Sequence, residues 1–294
     1  MMVSRLDFAV KNQIRLAVIA GCLASCPALL AADAMGQIKF APHRAIYDVT
    51  LARSAPGSGV SDMTGRLVYE LQGSACEGYT QSMRFVTQSS ASDGTEQVND
   101  MRSSSFEEAA GRKLSFNSTQ YRDEQVAEVT QGQAGRRGAD GRITIELTKP
   151  ETKALTLPAT VYFPIQHSIA MLEAAKAGKR LFVADVYDGS EKGDKVSATN
   201  TVIGAASAET ADHLPDTLAN AERLKPLKFW PIATSYFEKD KSFDKKDGVP
   251  TYEMAAHFYE NGVSTKLLMD YGDFSLKGEL TELTFLPEGD CAGK

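Results

Sequence analysis

Polarity along the chain alternates with a period of two for most of its length. Ile143-Thr144-Ile145-Glu146-Leu147 and Glu279-Leu280-Thr281-Glu282-Leu283-Thr284-Phe285 place apolar and polar side chains on opposite sides, as strands with one buried face do. Runs rich in Thr, Val, Tyr and Phe predict further strands near residues 44–53, 63–72, 79–91, 95–107, 112–120, 124–131, 180–188, 195–204 and 228–239. Turn pairs separate them: Pro56-Gly57, Asp93-Gly94, Ala110-Gly111, Asp140-Gly141, Asp188-Gly189 and Asp247-Gly248. The sharpest hairpin is MAAHFYENGVSTKLLMDYG, in which Asn261-Gly262 supplies the positive φ angles of a type I′ turn. The pattern is that of a long, meandering antiparallel sheet.

One stretch, FPIQHSIAMLEAAKAGKR, changes period. Pro164 suits a first helical turn, Ile165, Ile169, Met171 and Leu172 recur at helical spacing, and Gly178 ends the run before Lys179 and Arg180. A single amphipathic helix in a large β protein plugs a barrel or covers its open side. A second, short helix is expected between His213 and Leu224. Neither an internal repeat nor a Pro- or Ser-rich linker divides the chain, so residues 35–294 read as one domain.

The amino terminus stands apart. Arg5, Lys11 and Arg15 precede an apolar run from Leu16 to Leu30 and the small-residue triplet Ala32-Asp33-Ala34. This is the anatomy of a secretory signal peptide over residues 1–34, with an apolar core shorter than the roughly 20 residues of a spanning helix. Leu23-Ala24-Ser25-Cys26 also reads as a bacterial lipobox, which makes anchoring through a lipid on Cys26 the alternative to a soluble periplasmic protein. The full chain carries a net charge of -6. The leader holds three cations against Asp7 and Asp33, so the exported part carries -7. Such an acidic chain has no electrostatic footprint for nucleic acid or for anionic membrane surfaces. Cys22 and Cys26 fall within the leader, leaving Cys76 and Cys291 as an even pair in an oxidising compartment. They read as a disulfide, with two unpaired buried thiols as the alternative.

The acidic stretch LFVADVYDGSEKGD, residues 181–194, invites a metal-loop reading. Calcium loops place acids at alternate positions before a glycine and a distant Glu. Here Asp185 and Asp188 lie three apart, Asp185 falls inside a strand, and Glu191 and Asp194 follow. A polar turn from Asp188-Gly189-Ser190 to Gly193-Asp194 accounts for every feature.

Taken in order, CEGYTQSMRFVT, LPATVYFPIQHSIAMLEAAKAGKRLF, FWPIATSYF and YENGVSTKLLMDYGDFSLKGELTELTFLPEGDC resemble the EipB family of periplasmic cell-envelope integrity proteins, formerly a domain of unknown function. The resemblance runs from about His43 to Cys291. It implies a mainly β fold in which a long antiparallel sheet curls into an open, barrel-like β-spiral around one main α-helix, similar to LolA, LolB and YceI-type barrels. It also implies a disulfide matching Cys76 in ACEGY and Cys291 in EGDC, a role under envelope stress, and no enzymatic activity.

Tests for chemistry point the same way. His43, His167, His213 and His257 show no paired ligand spacing, so no metal or cofactor is expected. His167 beside Ser168 lacks the GxSxG nucleophile turn of a serine hydrolase. SAPGSGVSD lacks the Lys-Ser/Thr of a phosphate loop. Apolar recognition remains, with Phe163, Ile165, Ile169, Leu172, Trp230 and Tyr236 as candidates to line the concave side of the curled sheet. The expected protein is a monomer that binds without catalysis, its partner a lipid or a lipoprotein acyl chain. The alternative is a scaffold for peptidoglycan or outer-membrane assembly factors.

Overall fold

The structure, a computed structural model, describes residues 38–138, 140–208, 214–215, 217–239, 248–289 and 291. The expected leader with Cys22 and Cys26, the residue His213 and the charged run 240–246 lie outside them. Fifteen strands among the described residues form one sheet. In chain order they are β1 (His43–Ser54), β2 (Val60–Ser74), β3 (Gly78–Ala91), β4 (Glu96–Glu108), β5 (Lys113–Arg122), β6 (Gln125–Arg136), β7 (Ile143–Lys149) and β8 (Lys153–Leu157). After the helix α1 (Pro164–Lys176) come β9 (Leu181–Val186), β10 (Ser197–Ile203), β11 (Ser207–Ala208), β12 (Lys228–Glu238), β13 (Tyr252–Tyr259), β14 (Ser264–Asp270) and β15 (Phe274–Phe285).

Pairing runs β8-β7-β6-β5-β4-β3-β2-β1-β15-β14-β13-β12-β10-β9, with β11 beside β12. The first and last strands thus meet in the middle of the sheet, and β8 and β9, consecutive in the chain, are its two ends. Every ladder along this path is antiparallel, so each strand presents alternate residues to the same face. Tyr47 of β1 sits opposite Leu67 of β2 and Leu280 of β15, and Leu67 sits opposite Phe85 of β3. The face they share is concave.

That face is covered from within. Ile165, Met171, Leu172, Ala174 and Ala175 of α1 join Tyr47, Leu71, Ile232 and Leu276 in the main core. A second apolar cluster, with Leu114, Phe116, Ile145, Leu157, Phe163 and Tyr187 among its members, lies where the sheet's ends approach. The helix spans the residues that its 3.6-residue periodicity indicates, and the NG hairpin forms as β13–β14. Of the segment expected to be helical between His213 and Leu224, which lies partly outside the described residues, Ala221–Arg223 form a 3-10 turn. Asn220 takes a left-handed conformation and donates its amide to the Leu283 carbonyl at 2.7 Å, breaking helical continuity before Ala221. Leu218 and Leu224 in this stretch are anchored in the main core. Short β8, which pairs with β7, has no counterpart among the sequence expectations.

The sheet does not close into a barrel. Its ends are joined by one parallel bridge, in which the Tyr162 amide donates to Asp185 O and the Tyr187 amide donates to Tyr162 O, both at 2.9 Å. The acidic stretch completes this seam as a folded turn, and its acids all have partners. Asp185 pairs with Lys239 at 2.7 Å, Glu191 with Lys195 at 3.0 Å and Asp194 with Lys153 at 2.7 Å. Asp188 accepts the Ser190 amide at 2.9 Å. Tyr187 stacks edge-on against Phe116, with ring centroids 5.7 Å apart, and its hydroxyl donates to Gly193 O. Gly189, at φ 76°, lies against the Phe116 ring so closely that a Cβ would overlap it. Cys76, in the β2–β3 turn, is joined to Cys291 across 215 residues, tying the end of the chain beyond β15 to that turn.

Two stability measurements follow. Cys291→Ser is expected to lower the thermal midpoint under oxidising conditions, with an upper bound of about 5 kcal/mol from loop-closure entropy. An unchanged midpoint would exclude a stabilising crosslink. Gly189→Ala is expected to cost on the order of 2 kcal/mol more in urea unfolding than Gly57→Ala. Both glycines have positive φ, but a Cβ at Gly57 meets nothing within 4 Å.

Candidate functional site

The site begins with how α1 is seated. Pro164 starts the helix, and the residue before it, Phe163, offers no side-chain cap. The amide donors of the first turn therefore need an acceptor from elsewhere. Glu107 of β4 supplies it: its carboxylate accepts the Ile165 amide at 2.7 Å and the Gln166 amide at 3.0 Å. Arg136 of β6 holds the chain just before the helix, donating to the carbonyls of Gly111, Ala159 and Val161 at 3.1, 2.7 and 2.6 Å. Its guanidinium also lies 5.4 Å from the Phe163 ring centroid. Burial pushes Glu107 up to about 7, against the pull of the Ile165 and Gln166 amides and Arg136.

His167, one turn on, faces the opposite wall. Its Nε2 is 2.9 Å from Thr199 Oγ1, and that hydroxyl donates its own proton to Ala184 O at 2.8 Å. Nε2 therefore carries the hydrogen and donates. Burial holds His167 down to about 4, so the ring is neutral at pH 7. His167 is thus a structural tie between α1 and β10. His43 bonds Ala41 O at 2.7 Å, and His257 stacks on Phe229 at 4.6 Å.

Beyond the seated helix the concave face is only partly filled. Tyr69, Met83 and Phe85, on the β2–β3 wall, share the inward face with Leu67 and Tyr47 and pack on the main core, yet remain half-buried. Phe182 and Tyr252 do the same on the opposite wall, and Ile169 does so on the helix. Tyr236 lies beside Tyr252, ring centroids 5.5 Å apart, and a row of rings continues to Tyr271 and Phe274. Burial pushes the hydroxyls of Tyr69 and Tyr236 up to about 12, although both side chains keep accessible surface. Both rings therefore face inward without being sealed by the helix.

Of the six residues expected to line the concave side, Ile169 and Tyr236 keep partial exposure. Ile165, Leu172 and Trp230 are packed into the main core, and Phe163 is sealed in the second cluster against Arg136. These four hold the helix and the walls, and offer no surface to a ligand. Tyr69, Met83, Phe85, Phe182 and Tyr252 were missed, though each lies in a stretch of alternating polarity. What identifies them is residual exposure on an inward face, which only the curvature of the sheet decides.

The fold defines a class: β-barrel-like proteins in which a curled, unclosed antiparallel sheet wraps a single helix. The model of the EipB-like family matches residues 34–287, and the chain belongs to that family. It is 37% identical over 259 residues to the cell envelope integrity protein EipB of Brucella abortus (strain 2308), covering 88% of this chain and 89% of that one. A crystal structure of a β-barrel-like protein, a domain of unknown function from Brucella abortus, superposes with a TM-score of 0.76 at 35% identity, covering 85% of this chain and all of that chain. Membership places the chain among proteins of cell-envelope integrity. Among the described residues no helix is long and apolar enough to cross a membrane.

The two buried groups at the helix start titrate with opposite effects on stability. The folded-state value of His167 lies below the ordinary 6.5, so its contribution is complete above that pH and is lost as pH falls towards 4. Glu107 lies above the ordinary 4.5, so its contribution is complete below that pH and is lost as pH rises through about 7. Between pH 4.5 and 6.5 the two slopes oppose each other. Denaturant unfolding of His167→Gln is expected to show stability falling as pH rises through this window, and that of Glu107→Gln to show it rising. Matching slopes in the two variants would contradict these assignments.

Proposed function

We propose that the protein is a non-enzymatic periplasmic component of envelope integrity whose lumen shelters an apolar ligand, a lipid or the acyl part of a lipoprotein. The observation that carries this reading is the half-buried inward wall formed by Tyr69, Met83, Phe85, Ile169, Phe182 and Tyr252. An inner face of aromatic and methionine side chains that the helix does not seal gives flexible, polarisable surface to an alkyl chain. Each CH₂ buried there contributes about 0.8 kcal/mol, enough for binding without any reacting group. The family's role in envelope integrity and the sequence's secretory leader support the location.

A second reading has its own observation. β9 is an end strand of the sheet, and the outer face beside it carries Leu181, Val183 and Val202 at 55%, 61% and 59% exposure. Exposed aliphatics at a sheet end suit an added strand from a protein partner, as a scaffold would need.

Native mass spectrometry of the protein recovered from its own periplasm, followed by denaturation, separates the two readings. Lipid released on denaturation supports the lumen; a lipid-free chain that carries an envelope protein supports the scaffold. In the purified protein, Met83→Gln with Phe85→Gln is expected to weaken a fluorescent fatty-acid probe about tenfold, or 1.4 kcal/mol. Unchanged probe affinity would remove the lumen from consideration.

A further inference from the structure

The outer face of β3–β7 has the opposite character to the lumen. It holds two adjoining depressions of about 320 Å³ and about 400 Å³ that share Ser115, Gln133 and Glu146. Both volumes fall within the range of small-molecule sites. Register shows that this is the outward side: Phe106 pairs with Ser115 and Thr80, while its neighbour Glu107 turns inward to α1. Phe106 is 41% exposed at the middle of the trough.

The side chains around that ring are hydroxyls and planar amides. Ser104, Ser115, Asn117, Gln131 and Gln133 make no side-chain hydrogen bond within the described residues. Each amide offers two donors and an acceptor, and each hydroxyl offers both roles. Charge, in contrast, is mostly paired, although Lys113, exposed in the second depression, makes no ion pair among the described residues. Arg137 pairs with Glu146 and Arg112 with Glu108, each at 3.0 Å, at one end of the trough. At the other end Asp100 is held by Arg84 at 2.9 Å and Arg102 at 2.7 Å.

An exposed aromatic face set among uncommitted amides and hydroxyls fits a ligand that is rich in hydroxyls and apolar on one side. A pyranose ring has these properties: its axial C–H groups meet the negative face of a phenyl ring, and its hydroxyls each donate and accept. The dimensions agree, since the five strands span about 19 Å at ~4.8 Å per step, room for several sugar units laid across them. A docked protein would need more apolar area than one phenylalanine. From these observations we infer that the outer trough beside Phe106 binds an oligosaccharide, independently of whatever occupies the interior.

The test uses the full exported chain, titrated with a β-linked glucose tetrasaccharide and with its N-acetylated counterpart while backbone amide shifts are followed by NMR. The expected result is saturable binding of at least one of them, with shifts centred on β4–β6. Phe106→Ala should weaken that binding at least fivefold without moving the thermal midpoint, because the ring is not part of either core cluster. Should Phe106→Ala destabilise the fold, Gln131→Ala with Gln133→Ala, at two exposed positions, serves the same purpose. The fatty-acid probe should be unaffected by either variant. Absence of binding for both saccharides at millimolar concentration would overturn the inference, as would binding that survives every one of these substitutions. So would saccharide shifts confined to Tyr252 and the inner wall.

Discussion

The connection between β8 and β9 imposes the shape of the molecule. These two strands are the ends of the sheet, thirteen strand spacings apart, or about 62 Å if the sheet were flat. Residues 158–180 must join them. The thirteen residues of α1 rise only about 20 Å, and ten flanking residues reach at most about 34 Å even when fully extended. A flat sheet is therefore forbidden by chain length before any packing is considered. The natural right-handed twist of strands gives the direction in which the sheet curls. Pairing of β1 with β15 removes two further edges by putting the first and last strands at the centre. The disulfide then ties the end of the chain back to the β2–β3 turn.

Once the ends are drawn together, the connecting helix must run inside the curl, and its first-turn amides enter a low-dielectric space. An uncapped helix start there would leave orphan donors at a cost of about 1–3 kcal/mol each. Glu107 meets that need from the sheet, and Arg136 fixes the preceding carbonyls, so β4 and β6 together dictate where α1 begins. His167 and Thr199 secure the helix to the far wall. The helix is thus held between both halves of the sheet. Curvature and helix seating are consequences of one short connection.

Much of this architecture can be read from local sequence, and the remainder is lost for identifiable reasons. Period-two runs located most strands because each buries one face and leaves the other in water. The helix was legible from Pro164, the spacing of Ile165, Ile169 and Leu172, and the stop at Gly178. Strand β8 was missed because Lys153–Leu157 is short and lies between Pro150 and Pro158, which read as a loop. The segment 213–224 was expected to be helical, but the conformation at Asn220 depends on a carbonyl of β15, far along the chain. Glu107 gave no signal at all. Nothing local marks a strand glutamate as the cap of a helix that begins 57 residues later; the partnership exists only through the sheet's curl.

The same reason explains why the binding residues were harder to name than the fold. Phe85, Phe106 and Phe116 lie on three successive strands, each in an alternating run, and no pattern distinguishes them. Phe116 is sealed because the seam folds Tyr187 and Gly189 over it. Phe85 faces the same interior but beyond the reach of that seam, so it stays half-buried on the inner wall. Phe106 is displaced by one residue of register, and that single step puts its ring in water on the outer face. Alternation shows that a strand has two faces. Which face is sealed, which lines a cavity and which meets solvent is decided by closure of the sheet. Residual exposure on a known face therefore carries more functional information here than residue type.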